Sequence, residues 1–477
     1  MKFFHYALIV MSLSLLKGCG ANVRTEQDDL KQDKPNILLI HIDDLGYHDL
    51  SIHGSDIYET PNIDSLAKQS VIFENAYANF PRCVPSRYAM ITGTWPMVKG
   101  RVPDDGFALK GIKDSNNLIK AIGSSGYHTA FFGKWHLGSG DQSPTGFGFD
   151  YSYAAGKPGS PISYFFPFNE PTRANAKVKK APMPNVDQDA KEGDYLTDFL
   201  TTKAINHIEK VSEKPFLLAL NYYAVHQPIE AKENDVNQNK EQISNYDFGD
   251  QPEYVLEGTG RTKMRQDNAE YAAMVENMDW NVGRILRFLK DSGLENNTIV
   301  IFSSDHGGLS NDGTNQRHLA TSNFPLRAGK GWLYEGGTRV PLFIKWQDKF
   351  TPKTDSKSIV MLMDIYPTVL DIVSNTAVEA IDGKSLMPLI KGNQSWHDRT
   401  VYWHSDKARP VNTGESNASA IRSGDWKLVD FYDDGAIELY NLQEDEKESN
   451  NLAQKFPDKT KELKTKLDSW KANLKDD

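Results

Sequence analysis

Apolar residues gather in short unbroken runs over the first three quarters of the chain, at 36–42, 127–132, 216–223, 298–304 and 341–346. Runs of that length without polar alternation predict strands buried on both faces. Between them, apolar positions fall at helical spacing. The clearest case sets Tyr271, Met274, Val275, Met278, Val282, Ile285, Leu286 and Leu289 on one face, with Gly293 as the stop. Buried strands alternating with helices predict an α/β fold whose sheet is covered on both sides. After about Ile381 the pattern changes to strand-like pieces at 400–404, 418–421, 426–431 and 436–440, then a charged helix over 458–474. That order predicts a smaller C-terminal α+β subdomain, residues 381–477, carrying an antiparallel sheet. Two stretches, 153–194 and 227–266, fit no element. They predict long loops of the kind that serve as lids or binding surfaces.

The N-terminus follows other rules. A basic start at Lys2 and an apolar segment over 6–16 predict a signal peptide, residues 1–18, because the segment is too short to span a bilayer. Cys19 after Gly18 matches a bacterial lipobox and predicts lipidation at Cys19, with ordinary secretory cleavage nearby as the alternative. The polar, aperiodic residues 19–34 suit a tether. Order is expected from Pro35, which leaves a main domain over 35–380. The expected location is outside the cytoplasm, as a lipoprotein of the outer membrane, cell surface or periplasm. The lipid would be the sole membrane anchor, since no later segment is apolar enough to cross. The chain has two cysteines, Cys19 and Cys83. An exported protein permits a disulfide between them, but a tether thiol is a poor partner for one at a helix start. A net charge of −10 argues against nucleic acid as a partner. It also requires that an anionic substrate be met by a local cluster of cationic groups or a metal.

Four predicted strands end in chemically loaded residues. The first runs into Asp43 and Asp44, and the second is followed by Lys134 and His136. The third leads to His226, the fourth to Asp305 and His306. Ligands of open α/β sheets lie beyond the carboxyl ends of strands, so four such endings predict one shared site. Carboxylates there suit a hard divalent cation, although capping or turn roles explain each Asp taken alone. Cys83 should open a helix, with Pro85 in its first turn and Gly93 at its end. A helix start favours an oxyanion, and Arg87, one turn on, can reach the same anion. Lys330, in the loop 329–332, is a further candidate. Taken singly, Arg87, Lys134, His136 and His226 also suit surface or structural roles.

The string Cys83-Val84-Pro85-Ser86-Arg87-Tyr88-Ala89-Met90-Ile91-Thr92-Gly93 resembles the signature of the type I, formylglycine-dependent sulfatases of the alkaline phosphatase superfamily. Val84 departs from it, since the family more often has a small residue there. Further matches at 42–46, 60–64, 133–136, 304–307 and 327–330 occur in the family's order, and 424–428 with 438–442 look like its C-terminal subdomain. The resemblance implies a large central mixed sheet sandwiched by helices and an arylsulfatase-like sulfuric ester hydrolase. It implies that a formylglycine-generating enzyme converts Cys83 to formylglycine (3-oxoalanine). It also implies one calcium ion held by Asp43, Asp44, Asp305, His306 and the residue at position 83. Many relatives carry Asn where His306 stands. Arg87 and Lys134 would stabilise the formylglycine and the sulfate. His136 would help the sulfated hemiacetal collapse, and His226 and Lys330 would bind sulfate and protonate the departing alcohol. The chemistry is coherent, because a hydrated aldehyde offers one hydroxyl to attack sulfur and a second to expel sulfate, which Ser or Cys cannot do.

A surface lipoprotein commonly meets polymers, so the expected substrate is a sulfated carbohydrate. Tyr151, Tyr153, Tyr164, Phe165, Phe166 and Phe168 are candidates for sugar stacking, as are His53, Arg317, His318 and Trp396, with loop packing the plainer role for each. Two other readings use the same residues: a phosphonate monoester or phosphodiester hydrolase of the same superfamily, and a non-catalytic glycan-binding lipoprotein.

Overall fold

The computed structural model describes residues 34–97, 109–170, 181–374, 378 and 381–473. The signal segment, Cys19 and the tether up to residue 33 lie outside the described residues.

The central sheet has eight strands: β1 (Asn36–Ile42), β2 (Val71–Phe73), β3 (His128–Gly133), β4 (Tyr151–Tyr153), β5 (Phe216–Asn221), β6 (Thr298–Ser304), β7 (Leu342–Trp346) and β8 (Lys353–Asp355). Their order is β8-β2-β7-β6-β1-β5-β3-β4. Only β7 is reversed, pairing antiparallel with β6 and β2, while the other pairings are parallel. Five helices matter for the layers and the site: α1 (Cys83–Thr92), α2 (Leu196–Val211), α3 (Ala269–Asp291), α4 (Ile365–Val373) and α5 (Pro457–Asn473).

Strand β1 shows why its residues form a central strand. Successive side chains point to opposite faces, and here both faces are apolar apart from buried His41 near the strand's end. Leu38, Ile40 and Ile42 share a core with Leu200 of α2 and Met274 and Met278 of α3. Ile37 and Leu39 share another with Ile365 and Val369 of α4. Each such burial is worth roughly 1.5–3 kcal/mol, which makes an unbroken apolar run, rather than an alternating one, the stable choice.

After residue 381 the chain forms a four-stranded antiparallel sheet of β9 (Thr400–Ser405), β10 (Ala418–Ser423), β11 (Trp426–Phe431) and β12 (Ile437–Asn441), in sequence order. Leu463 and Leu467 of α5 cover one face, against Ile421, Leu428 and Leu439. The other face, with Trp403 and Val429, packs with Tyr77, Ala89 and Trp332. Trp403 Nε1 donates to the Ala78 carbonyl at 2.8 Å. Buried Lys427 bridges Glu335 and Glu448, each at 2.9 Å. From Pro35 onward the chain packs as one compact unit.

One expectation is corrected. The stretch 227–266 is not a featureless loop. It holds a helix, Glu233–Ser244, and a hairpin of Tyr254–Glu257 with Gly260–Lys263. The helix buries only Val236 and Asn239, so it lacks the apolar stripe by which periodicity is recognised. The described part of 153–194 has no helix and no strand beyond Tyr153. No helix among the described residues is long and apolar enough to cross a membrane.

Candidate active site

Strands β6, β1, β5 and β3 are immediate neighbours, so the four loaded strand endings meet at one edge of the sheet. In-register pairing of Ile42 with Ser304 brings Asp43 beside Asp305. Asp305 N donates to the Ile42 carbonyl, and Asp44 N donates to Asp305 Oδ1, both at 3.1 Å. Asp44 and His136 leave their strands with φ of 60° and 61°. A non-glycine residue in that region carries strain that its surroundings must hold, a state concentrated at functional sites. At Gly133 (φ 84°) a Cβ would lie 2.0 Å from the Asn221 carbonyl. Glycine there lets Lys134 N reach that same carbonyl at 2.7 Å.

Helix α1 opens at Cys83 and ends at Gly93, whose φ is 69°. Its first turn points at the strand endings. Cys83 Sγ lies 3.2 Å from Lys134 Nζ and from His306 Nε2, and 3.7 Å from Asp43 Oδ1 and from Lys330 Nζ. His136 faces the thiol, and its buried Nδ1 has no partner among the described residues. Arg87 fastens the helix to the sheet: Nε donates to Asp305 Oδ2 at 3.0 Å and Nη1 to the Lys134 carbonyl at 2.8 Å. Ser86 Oγ adds a bond to the Asp305 carbonyl at 2.6 Å. Lys134 Nζ donates to Asp43, and Lys330 Nζ donates to both Asp44 oxygens at 2.6 and 2.8 Å.

These charges set the chemistry of position 83. Burial alone would raise the thiol, but Lys134, Lys330 and His306 outweigh it and hold Cys83 well below the usual thiol range. Burial pushes His226 down to about 3. Its Nδ1 lies 2.8 Å from the Gln227 carbonyl, which can only accept, so Nδ1 carries the proton. Nε2 then faces Asp44 at 3.7 Å.

The cluster also fits a metal. Asp43, Asp44, Cys83 and His306 each offer a donor atom within 4.8 Å of the others. Donors on opposite sides of one calcium stand roughly 5 Å apart, twice a bond length. His306 Nδ1 donates to the Gly307 carbonyl at 2.9 Å, leaving Nε2 aimed at Asp44 (3.4 Å) and Asp305 (3.6 Å). That is how a ligand imidazole is oriented. The oxygens suit a hard cation, and the imidazole is the least typical member of the set. Every predicted site residue from Asp43 to Lys330 thus falls in one cluster.

The aromatic candidates for sugar stacking fare differently. Tyr153, Tyr164 and Phe168 are core residues, because the loop folds its rings onto α2 and its flank, with Tyr164 against Tyr195 and Phe168 against Phe199. Tyr151 stacks on His207 and His53 on Tyr47. Trp396 packs under Arg399, beside the C-terminal sheet. Arg317 and His318 do stand near the site, since Gln227 Nε2 donates to the His318 carbonyl at 3.3 Å.

Sequence reasoning missed Gly159. A Cβ there would fall 2.2 to 2.8 Å from three ring atoms of His136, so the imidazole lies directly against bare backbone. Gly159→Ala is expected to displace His136 and cut turnover about 100-fold, the usual scale for a misplacement of about 1 Å, with the unfolding midpoint little changed. Steady-state kinetics on any turned-over sulfate ester checks this, and unaltered kinetics would show that His136 can move at no cost.

Fold and site together define a sulfatase of the alkaline phosphatase superfamily. The sulfatase family profile matches residues 35–375, and the chain belongs to that family. A second profile, N-sulphoglucosamine sulphohydrolase, C-terminal, matches residues 328–475. A sulfatase of Formosa agariphila is 30% identical, over 98% of this chain and 93% of its own. An N-acetylgalactosamine-6-O-sulfatase of Bacteroides thetaiotaomicron is 26% identical, over 97% of this chain and 98% of its own. Among solved structures, Ps i-CgsB in complex with k-i-k-neocarrahexaose is 28% identical with a TM-score of 0.72, covering 92% of this chain and 93% of that one.

Proposed function

We propose that this sulfatase removes sulfate from a sulfated carbohydrate, with Cys83 matured to formylglycine and one calcium ion in the carboxylate cluster. The observation that carries the reading is the ring of Lys134, His306, Asp43 and Lys330 within 3.7 Å of Cys83 Sγ at a helix start. Formylglycine, once hydrated, supplies the attacking hydroxyl and the means of expelling sulfate, and calcium supplies positive charge to the sulfate oxygens. Asp43, Asp44, Asp305 and His306 would hold the ion, with position 83 completing the set.

The remaining steps belong to this chain's own side chains. Lys134 and Lys330 flank position 83 and neutralise the sulfate oxygens as charge develops. Arg87 holds Asp305 and the first turn of α1 in place. His226 is neutral in the free site, and the charge of a bound sulfate raises its pKa, so that Nε2 can take up a proton and pass it to the departing alcohol. His136, facing position 83, takes the proton whose loss lets sulfate leave. The carbohydrate is supported by the relatives, one named for N-acetylgalactosamine 6-O-sulfate chemistry and one solved with a neocarrahexaose. Export with lipidation at Cys19 belongs to the same proposal and is checked by palmitate labelling of the protein expressed in a bacterial host.

The deciding experiment is mass spectrometry of the peptide containing position 83, from protein made with a formylglycine-generating enzyme, together with a sulfate-release screen of sulfated oligosaccharides. Aldehyde with sulfate release is expected. Unmodified Cys83, under conditions that convert a control sulfatase, would remove the proposal. His226→Ala is expected to slow sugar sulfates by roughly 100- to 10,000-fold and aryl sulfates far less, since a good leaving group needs little protonation. Equal losses on both would exclude His226 as the proton donor.

A further inference from the structure

The rim of the site holds hydrogen-bond donors that the free protein leaves unused. Arg82, immediately before Cys83, is only 7% exposed. Its guanidinium lies over the Phe80 ring at 4.9 Å. Among the described residues its one hydrogen bond is accepted by its carbonyl, from Ser86 N at 3.2 Å. A guanidinium has five donors, and those of Arg82, not fully enclosed, are open to an anion that binds at the rim.

Arg317 repeats the pattern from another loop. Its Nη2 lies 3.4 Å from the Asn311 carbonyl, while its Nε is buried with no partner among the described residues. The neighbouring carboxylate, Asp312, accepts through Oδ2 from Arg261 Nε at 3.1 Å and from the Arg317 backbone N at 3.4 Å, and no bond joins it to the Arg317 guanidinium. Arg409 brings a third, exposed guanidinium on a loop whose backbone N is held by Glu415 Oε1 at 3.0 Å. Glu415 in turn stands against Gly331, where a Cβ would lie 3.0 Å from its Oε2, and Gly331 follows the sulfate-facing Lys330. Arg409 and Glu415 act on both of the other arginines. Arg82 feels the charges of Arg409, Glu415, Cys83 and Asp406, and Arg317 feels those of Asp44, Asp312, Glu415 and Arg409.

We propose that Arg82, Arg317 and Arg409 form a subsite for a second acidic group, sulfate or carboxylate, on the same saccharide, so that the substrate is a multiply anionic oligosaccharide. The inference rests on the carbohydrate reading of the site. Guanidinium forks suit both oxyanions, which they bind with paired hydrogen bonds. The position of Arg82, one residue before the nucleophile, sets the second anion on the ring bearing the scissile sulfate or on its neighbour.

The test measures inhibition of 4-nitrophenyl sulfate hydrolysis by matured enzyme. Inhibitors are galactan oligosaccharides with one or two sulfates per disaccharide, and chondroitin oligosaccharides with uronate plus sulfate beside singly sulfated N-acetylgalactosamine. At least one multiply anionic sugar should bind tenfold or more tightly than its singly sulfated counterpart. Arg82→Gln and Arg317→Gln should each shrink that margin several-fold, and the class that shows the margin identifies sulfate or carboxylate. Arg317→Gln lies outside the maturation motif, so its result stands even where Arg82→Gln is not converted. Equal binding of single and multiple anions throughout, or a margin unchanged in both variants, would overturn the subsite. If no sulfate ester is turned over, calorimetric titration of the same sugars still reads the preference. A margin there upholds the subsite while the mechanism falls, and none overturns it.

Discussion

Cys83→Ala is expected to lower sulfate-ester turnover by about 10,000-fold or more, the scale seen when a covalent nucleophile is removed, while the protein remains folded. The thiol is a small buried group whose loss leaves no buried charge alone, because Lys134 keeps Asp43 and Lys330 keeps Asp44. Circular dichroism and the unfolding midpoint should therefore match the parent, and the carboxylate cluster should still take up calcium. Substantial turnover by this variant would sink the nucleophilic role of position 83. A dead variant that was also unfolded would instead show the thiol to be structural, which the geometry argues against.

Arg87→Ala is expected to cost about 3–5 kcal/mol of stability, the penalty for breaking a buried ion pair from one side. Arg87 is buried and spans Asp305 at 3.0 Å, Asp43 at 3.6 Å and the Lys134 carbonyl at 2.8 Å. Its removal strands the Asp305 carboxylate and frees the first turn of α1 from the sheet. Arg87→Lys should recover little, since a single ammonium cannot replace a fork that bonds two acceptors at once. Urea unfolding of unmatured protein is the proper measurement, because it separates this structural effect from any need for Arg87 in maturation. An unfolding midpoint within experimental scatter of the parent would show that the pair contributes nothing to the fold.

Much of this site could be read from the chain, for local reasons. A strand buried on both faces is apolar along most of its length, so β1, β5 and β6 announce themselves, and the charged residues that follow them stand out. The α1 signature is likewise contiguous: helix start, proline in the first turn, arginine one turn on, glycine at the end. What failed to show was whatever lacked such a local mark. The Glu233–Ser244 helix is polar nearly throughout, so no stripe betrayed it. Tyr164 and Phe168 suited either sugar stacking or loop packing, and they are core, because burial depends on what α2 brings against them. Gly159 carries no side chain to notice, and its role exists only where His136 comes to rest on it.

By itself, then, the sequence determined the buried strands, the helix that opens at Cys83, and the kinds of groups that end each strand. These follow from side-chain chemistry acting over a few residues. The tertiary structure alone decided that β6, β1, β5 and β3 are neighbours, which turns four separate strand endings into one cluster. It also decided that Arg82, Arg317 and Arg409, far apart in the chain, share a rim. Strand order and loop placement are set by packing between distant segments, where no short pattern of residues carries the information.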